Sequence, residues 1–179
     1  MTGPMRALVM IAALALMAAQ DGPPLLEVAP DGEPGTRLEV RGTVRTRDGR
    51  PVAGAELHVY QTDAQGRYTP ERAMDEPHAR LSGRVRTDEA GRFRLLTIRP
   101  GGYAQAIRLG DRDRHIPAHI HIDISAPGHA ERRVQVVFAD DPLLKDPYWA
   151  DWVRTQDQPV LEVRSEPGGL SGELSLVLR

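Results

Sequence analysis

The alternation that decides the fold runs through Ala118-His119-Ile120-His121-Ile122-Asp123-Ile124-Ser125. Side chains along a β-strand point to opposite faces in turn, so one face of this segment is nearly pure isoleucine. The other face carries His119, His121 and Asp123. The segment therefore predicts a half-buried strand whose polar face presents two imidazoles two residues apart.

Other segments in which apolar and polar residues alternate lie before and after this strand in the chain. The candidate strands are, in chain order, residues 38–44, 55–60, 84–87, 92–97, 103–108, 118–125, 132–138, 160–164 and 173–178. Turn signals such as Asp48-Gly49 and Pro127-Gly128 separate them, because Gly and Pro adopt the backbone angles that turns require. About nine short strands at this spacing predict an all-β fold, an antiparallel two-sheet β-sandwich. At most one short helix is expected, over residues 147–155 with Asp146 as its N-cap.

The composition limits the chemistry that such a sandwich can carry. The chain has 179 residues, a formal net charge of -2 and no cysteine. The absence of cysteine excludes disulfides, cysteine-ligated zinc, iron–sulfur clusters and thiolate nucleophiles. The near balance of charges gives no indication of nucleic-acid binding. Any metal must therefore be held by His, carboxylate or Tyr side chains.

The first residues have the features of a secretory signal peptide over 1–19. A single positive charge, Arg6, precedes an apolar run over residues 7–19, which is too short to span a bilayer comfortably. We therefore expect an exported protein, periplasmic or extracellular, with no membrane contact once the leader is removed; a buried N-terminal helix is the alternative. Residues 20–36 are rich in Pro and Gly and are expected to form a linker without helix or strand, which leaves 37–179 as the domain.

The histidine pair suggests a metal site. Imidazoles at His119 and His121 point the same way along a strand and are close enough to share one metal ion, although a solvated polar face is the alternative. Tyrosine is the unusual further ligand, because a hard trivalent cation such as ferric iron keeps a phenolate ionised at neutral pH. Spacing alone does not select the ligands among the four tyrosines, which are Tyr60, Tyr68, Tyr103 and Tyr148.

Several ordered blocks between Gly42 and Pro142 resemble the intradiol ring-cleavage dioxygenases, the family of protocatechuate 3,4-dioxygenase and catechol 1,2-dioxygenase. The blocks are Gly42-Thr43-Val44, residues 48–55, Tyr60-Gln61-Thr62-Asp63-Ala64-Gln65-Gly66-Arg67-Tyr68, residues 87–93, Thr97-Ile98-Arg99-Pro100-Gly101-Gly102-Tyr103, Pro117-Ala118-His119-Ile120-His121 and Gln135-Val136-Val137-Phe138. The missing N-terminal helical segment of the catechol enzymes makes the resemblance greatest to a short, exported branch of the family.

The resemblance implies a cofactor, a ligand set and a reaction. The cofactor is non-haem Fe(III), with no separate organic cofactor, and its ligands look like Tyr68, Tyr103, His119 and His121. The reaction uses O2 to cleave a catechol-type aromatic between its two hydroxyl-bearing carbons, giving a cis,cis-muconate-type diacid. Tyr103 matches the tyrosinate that leaves when substrate binds and then serves as a base, whereas Tyr68 matches the tyrosinate that stays.

Some positions depart from the family pattern. Ile116 stands where the family usually carries an arginine that stabilises negative charge on the substrate. An arginine of the longer preceding loop is expected to compensate, and Arg114 is the one we select over Arg108 and Arg112. Gln135 matches a glutamine behind the ligands and completes the set of expected catalytic residues with Tyr103 and Arg114.

The alternative belongs to a different class of protein. Residues 42–55, 87–93 and 99–103 also resemble transthyretin-like and carboxypeptidase-regulatory-like sandwich modules, which are not catalytic. Such modules have no reason to carry the two histidines together with two site tyrosines, so we favour the enzyme, with a small catechol-type molecule and O2 as its partners. Three further histidines are expected to be surface or turn residues, namely His58, His78 and His129.

Overall fold

The computed structural model describes residues 22–70, 76–105 and 114–178, and only the backbone of Gln105 and Arg114. These residues contain twelve strands and one α-helix. The strands are β1 (Leu25–Glu27), β2 (Arg37–Thr46), β3 (Glu56–Gln61), β4 (Leu81–Arg86), β5 (Arg92–Ile98), β6 (Tyr103–Gln105), β7 (Arg114–Ile116), β8 (His119–Ser125), β9 (Arg132–Phe138), β10 (Val160–Leu161), β11 (Val163–Glu166) and β12 (Gly169–Leu178). The helix α1 covers Pro147–Thr155, and two 3-10 helices cover Glu76–His78 and Pro142–Lys145.

Two five-stranded sheets face each other, which confirms the predicted all-β sandwich. Their strand orders are β1-β5-β2-β12-β11 and β10-β9-β8-β3-β4, and β6 and β7 form a separate ribbon. The apolar core between the sheets includes Ile120, Ile122 and Ile124, each at most 1% exposed. The isoleucine face of β8 therefore points inward as its alternation predicted, and the histidine face points to the outer side of its sheet.

The sheets are mixed and not purely antiparallel, which corrects one part of the prediction. The long strand β12 pairs parallel to β2, and the short strands β1 and β10 pair parallel to β5 and β9. Alternation of side chains shows which face of a strand is buried, but it holds no information on the direction of the neighbouring strand. The predicted strand 160–164 is also divided, since β10 and β11 belong to different sheets.

The expectation that residues 20–36 lack a strand was wrong. Strand β1 lies inside this range and pairs with β5, and Val28 and Ala29 behind it are buried. Proline cannot donate a backbone hydrogen bond, but its carbonyl still accepts one, and Pro24 accepts from the N–H of Arg94 at 2.8 Å. A proline-rich segment can therefore still add a short strand at the edge of a sheet.

The helix α1 begins and ends where the sequence predicted. The Asp146 side chain accepts a hydrogen bond from the Tyr148 N–H at 2.8 Å and caps the first turn. Within the described residues, no helix combines the length and the apolar character that crossing a lipid bilayer requires. The predicted leader at 1–19 and the end of the predicted strand 103–108 lie outside the described residues.

Candidate metal centre

Four side-chain donors meet at one point on the outer face of β8. The Nε2 atoms of His119 and His121 lie 2.9 Å apart, and the Tyr68 hydroxyl lies 3.0 Å from His121 Nε2. The hydroxyls of Tyr68 and Tyr103 are 3.4 Å apart. The fold thus brings together all four residues that the sequence analysis selected as ligands, and Tyr148 lies on α1 instead.

Two loops bring the tyrosines to the histidines. In the loop before Tyr68, the Asp63 carboxylate accepts hydrogen bonds from the N–H groups of Gln65 and Arg67, at 2.9 and 3.0 Å. The loop before Tyr103 is joined to it, because Gly101 N–H donates to the Asp63 carbonyl at 2.8 Å. The backbones are in close contact at this junction.

Gly66 is required at the contact between the two loops. Its φ is +79°, a left-handed conformation that disfavours other residues. A Cβ atom there would also lie 2.3 Å from the Gly102 carbonyl oxygen. The small residue therefore allows the loops to approach closely enough for the tyrosine hydroxyls to meet.

Burial controls the protonation of the four donors. Exclusion from water lowers the pKa of His119, and it lowers that of His121 to about 3, aided by the neighbouring His119 and Arg133. Both imidazoles are therefore neutral at neutral pH and can offer a lone pair. Burial also raises the pKa of Tyr68 and Tyr103 above the ordinary tyrosine value, so the phenolate forms need a nearby positive charge.

The donor set fits a hard trivalent cation. Because His119 Nδ1 lies 2.7 Å from the Pro117 carbonyl and donates to it, His119 Nε2 carries a lone pair that faces His121 Nε2 at 2.9 Å. A cation bound between the donors would accept the lone pairs of both rings. Imidazole nitrogen suits iron, and a phenolate oxygen suits a cation of high charge. Among the described residues, no group of three or more His, Cys or carboxylate side chains gathers to bind a metal. The phenols are thus essential members of this candidate site.

The backbone fixes His119 in the orientation that a metal ligand needs. The His119 Nδ1 lies 2.7 Å from the Pro117 carbonyl oxygen, so Nδ1 carries the hydrogen and donates it. Asp141 holds the start of β8, since its carboxylate accepts from Ala118 N–H and Leu143 N–H, both at 2.9 Å. This buried carboxylate therefore anchors the segment from which His119 projects.

Replacing Asp141 by Ala is expected to destabilise the protein by about 2–3 kcal/mol, because two backbone donors lose a charged acceptor in a buried position. The free energy of unfolding, from urea denaturation of the metal-free protein, measures this loss. Asp140→Ala is the matched control, since the neighbouring carboxylate is exposed and its ion pair with Arg99 is worth less than about 1 kcal/mol. Equal losses in the two variants would contradict the anchoring role.

The metal-free protein is expected to lose stability as the pH falls from about 6.5 to 5. The folded state keeps His119 and His121 neutral, because their pKa values lie below the unfolded value, whereas the unfolded chain takes up protons in this range. The loss is about 2 kcal/mol for His121 by pH 5, and His119 adds to it in the same direction, as measured from urea midpoints across the range. A His121→Gln variant, which carries one fewer buried imidazole, should show a smaller slope. A constant midpoint in the wild-type protein would refute the prediction.

The structure places the other predicted catalytic residues less completely. Gln135 lies opposite His121 on β9, but its described hydrogen bond runs from its backbone N–H to Gln158 at 2.6 Å. The backbone of Arg114 belongs to β7, whereas its side chain, like Arg108 and Arg112, lies outside the described residues. Ile116 is buried opposite Tyr103 in the β6–β7 ribbon. The roles of Gln135 and Arg114 therefore stay predictions.

Tyr60, one of the four tyrosines that spacing left open as ligands, touches the site without joining the four donors. Tyr60 on β3 lies opposite His121 in the sheet, and the two rings are parallel within 5° with centroids 4.5 Å apart. Its contact with His121 could not be predicted from the sequence, since the pairing of β3 with β8 is a tertiary property. Asp123 pairs with Arg133 at 2.7 Å and lies 3.7 Å from His58, so it faces a charged surface next to the site.

Comparison with known proteins gives a consistent result. A family model described as "Dioxygenase" matches residues 13–172. The protocatechuate 3,4-dioxygenase beta chain of Burkholderia cepacia is 34% identical over 163 residues, which cover 83% of this chain and 67% of that protein. Catechol 1,2-dioxygenase 2 of Acinetobacter lwoffii is 34% identical over 124 residues, which cover 65% of this chain and 45% of that protein. The chain spans about half the length, or less, of the catechol 1,2-dioxygenases that it matches.

Solved structures extend the comparison to the fold. Catechol 1,2-dioxygenase from Pseudomonas arvilla C-1 superposes with a TM-score of 0.69 at 26% identity, over 88% of this chain and 58% of that chain. The dioxygenase domain of a dioxygenase carbohydrate-binding protein fusion from Streptomyces sp. SirexAA-E gives a TM-score of 0.63 at 28% identity, over 87% of each chain. These matches do not favour a non-catalytic transthyretin-like module. The chain belongs to the intradiol ring-cleavage dioxygenase family.

Proposed function

We propose that the protein is a non-haem Fe(III) dioxygenase that cleaves a catechol-type ring between its two hydroxyl-bearing carbons and releases a cis,cis-muconate-type diacid. The observation that carries the proposal is the row of donor atoms from His119 through His121 and Tyr68 to Tyr103, in which each atom lies 2.9 to 3.4 Å from the next. The names of the relatives support this class of substrate, since they include catechol, hydroxyquinol and chlorocatechol dioxygenases.

Each of the four residues has a separate task in this proposal. His119 and His121 are neutral and give lone pairs, and the buried Tyr68 gives an oxygen that stays in place. Ferric iron, when bound, would supply a Lewis acid that makes a catecholate reactive toward O2. Tyr103 is more exposed than Tyr68 and lies at the start of β6, so its Oη is the phenol oxygen that a substrate hydroxyl can reach. We assign to Tyr103 Oη the uptake of the substrate proton.

The residue opposite Tyr103 in the β6–β7 ribbon is apolar. Ile116 pairs with Tyr103 across the β6–β7 ribbon and is 7% exposed, so it excludes water but cannot neutralise a negative charge. Charge stabilisation must then come from another residue, and Arg114 at the start of β7 is our candidate. An apolar substituent on the ring would suit the side chain of Ile116, as expected for a substituted catechol.

Replacing Arg114 by Ala is expected to lower kcat/KM for the preferred catechol by about a hundredfold, the usual cost of removing one group that stabilises developing negative charge. Oxygen-uptake kinetics measure the change. Arg86→Ala is the matched control, because the Arg86 side chain is 70% exposed and paired with Glu56 on the surface. Equal activity of Arg114→Ala and Arg86→Ala would remove Arg114 from the mechanism.

The test of the function is to load the purified protein with ferric iron and to measure three properties. We expect a visible tyrosinate-to-iron charge-transfer band, oxygen uptake with at least one of catechol, hydroxyquinol, chlorocatechol and protocatechuate, and a ring-opened diacid that contains both atoms of labelled O2. A colourless protein that does not bind iron would overturn the proposal. A coloured protein that cleaves no member of the panel would overturn its catalytic part.

We also propose that the protein is exported, because residues 1–19 carry the pattern of a secretory leader. Expression of the full chain in a bacterial host, followed by fractionation and N-terminal sequencing, tests this. A mature protein that begins near residue 20 in the periplasm or medium is the expected result. A cytoplasmic protein with its first residues intact would contradict export.

A further inference from the structure

The two histidines of the candidate metal centre are held in different ways. His119 donates from Nδ1 to the Pro117 carbonyl at 2.7 Å, which fixes the plane of its ring. His121 Nδ1 is buried, and within the described residues it has no hydrogen-bond partner. Metal-binding histidines usually have their second nitrogen bonded to an acceptor that sets the ring orientation. His121 therefore needs another contact to fix its ring.

Tyr60 provides that contact. Its ring lies over the His121 imidazole with a centroid distance of 4.5 Å and an angle of 5° between the planes. The two residues are direct partners in the β3–β8 register, so the pairing of the strands determines how the rings overlap. A flat aromatic surface against the imidazole prevents the ring from rotating away from the plane in which Nε2 points at the other donors.

Tyr60 has further contacts besides the one with His121. Its hydroxyl lies 3.2 Å from Glu76 Oε1, and the His58 ring lies on its other flank at a centroid distance of 5.0 Å. The Tyr60 side chain is 5% exposed and packs in one cluster with Tyr68 and Ala79. The ring that lies over His121 is therefore held by contacts of its own.

We propose that Tyr60 is the positioning residue for His121. Stacking of its ring on the imidazole takes the place of the hydrogen bond that His121 Nδ1 lacks. The inference rests on the proposed function in one respect, namely that the four donors hold a metal ion. Tyr60 does not contact the substrate in this role. Its consequence is that metal affinity depends on the aromatic ring of Tyr60 and little on its hydroxyl.

Three variants of Tyr60 separate the ring from the hydroxyl. Tyr60→Phe keeps the ring, Tyr60→Trp keeps a larger aromatic surface, and Tyr60→Leu keeps an apolar side chain without an aromatic face. The control is Tyr148→Leu, the same substitution at an exposed position on α1. We expect the ferric-iron affinity, measured by competition with a chelator, to fall about 10–100-fold in Tyr60→Leu and to stay within about threefold in the other three variants.

A second measurement uses the metal-free protein and needs no substitution that endangers folding. In NMR spectra with labelled histidine, the His121 ring protons of the wild type should be shifted upfield by the ring current of Tyr60, and Tyr60→Phe should keep that shift. Absence of the shift in the wild type would overturn the inference, even if Tyr60→Leu failed to fold. The thermal midpoint of each metal-free variant shows whether a loss of affinity comes from general destabilisation.

The outcomes separate this inference from the proposed function. Tyr60→Leu with wild-type iron affinity and an unchanged charge-transfer band would overturn the positioning role and leave the dioxygenase proposal intact. Iron-loaded wild type without activity on any catechol, together with weak binding by Tyr60→Leu, would overturn the proposed reaction and support the positioning role. Wild type with no affinity for ferric iron would overturn both.

Discussion

Tyr68→Phe is expected to abolish most of the visible charge-transfer band and to lower kcat/KM by about a thousandfold, as expected when a group that stabilises charge at the reacting centre is removed. Tyr68 is 2% exposed, and its Oη lies 3.0 Å from His121 Nε2, so phenylalanine keeps the packing and removes only the donor oxygen. Iron content, the visible spectrum and oxygen uptake measure the effect.

The control for this prediction is Tyr148→Phe, which removes a hydroxyl from a tyrosine on α1. It should leave the band, the iron content and the turnover unchanged. A Tyr68→Phe protein that keeps the wild-type band would show that this oxygen is not a ligand. Equal thermal midpoints of the two metal-free variants would show that the loss concerns the site and not the fold.

Tyr103→Phe is expected to keep bound iron but to lower kcat by about 10²–10⁴-fold, the range for the loss of a general base. Three of the four donors remain in this variant, and they include the two histidines at the fully buried end of the site. The two variants should differ, because Tyr103 Oη takes up the substrate proton in the proposed reaction, whereas the Tyr68 oxygen stays in place as a ligand.

Iron content and steady-state kinetics on the preferred catechol distinguish the two tyrosines. Tyr103→Phe should retain iron and part of the band, whereas Tyr68→Phe should lose more of both. Identical losses in the two variants would refute the division of roles. Full activity of Tyr103→Phe would show that another group takes the substrate proton.

A large part of the fold could be predicted because local patterns report burial directly. The alternation of Ile120, Ile122 and Ile124 with polar residues gave the inner face of β8, and Asp146 followed by Pro147 gave the start of α1. Strand direction could not be predicted in the same way. The parallel pairing of β12 with β2 joins residues far apart in the chain, and no local pattern distinguishes a parallel from an antiparallel neighbour.

The candidate site, like the fold, could be predicted from the sequence only in part. The sequence alone determined that His119 and His121 share one face of a strand, and that without cysteine a metal must rely on nitrogen and oxygen donors. The selection of Tyr68 and Tyr103 came from a family resemblance, since their spacing from the histidines was not informative. The Tyr68 hydroxyl meets an imidazole 53 residues further along the chain.

The residues that contact and orient the four donors could be identified only from the tertiary structure. It alone showed that Pro117 orients one imidazole through a hydrogen bond and that Tyr60 covers the other. It also showed that the two tyrosine loops are joined where Gly66 meets the Gly102 carbonyl. The physical reason is that a strand encodes the face on which each side chain lies, whereas contacts between strands and loops depend on sheet register, which forms only when the whole sandwich packs.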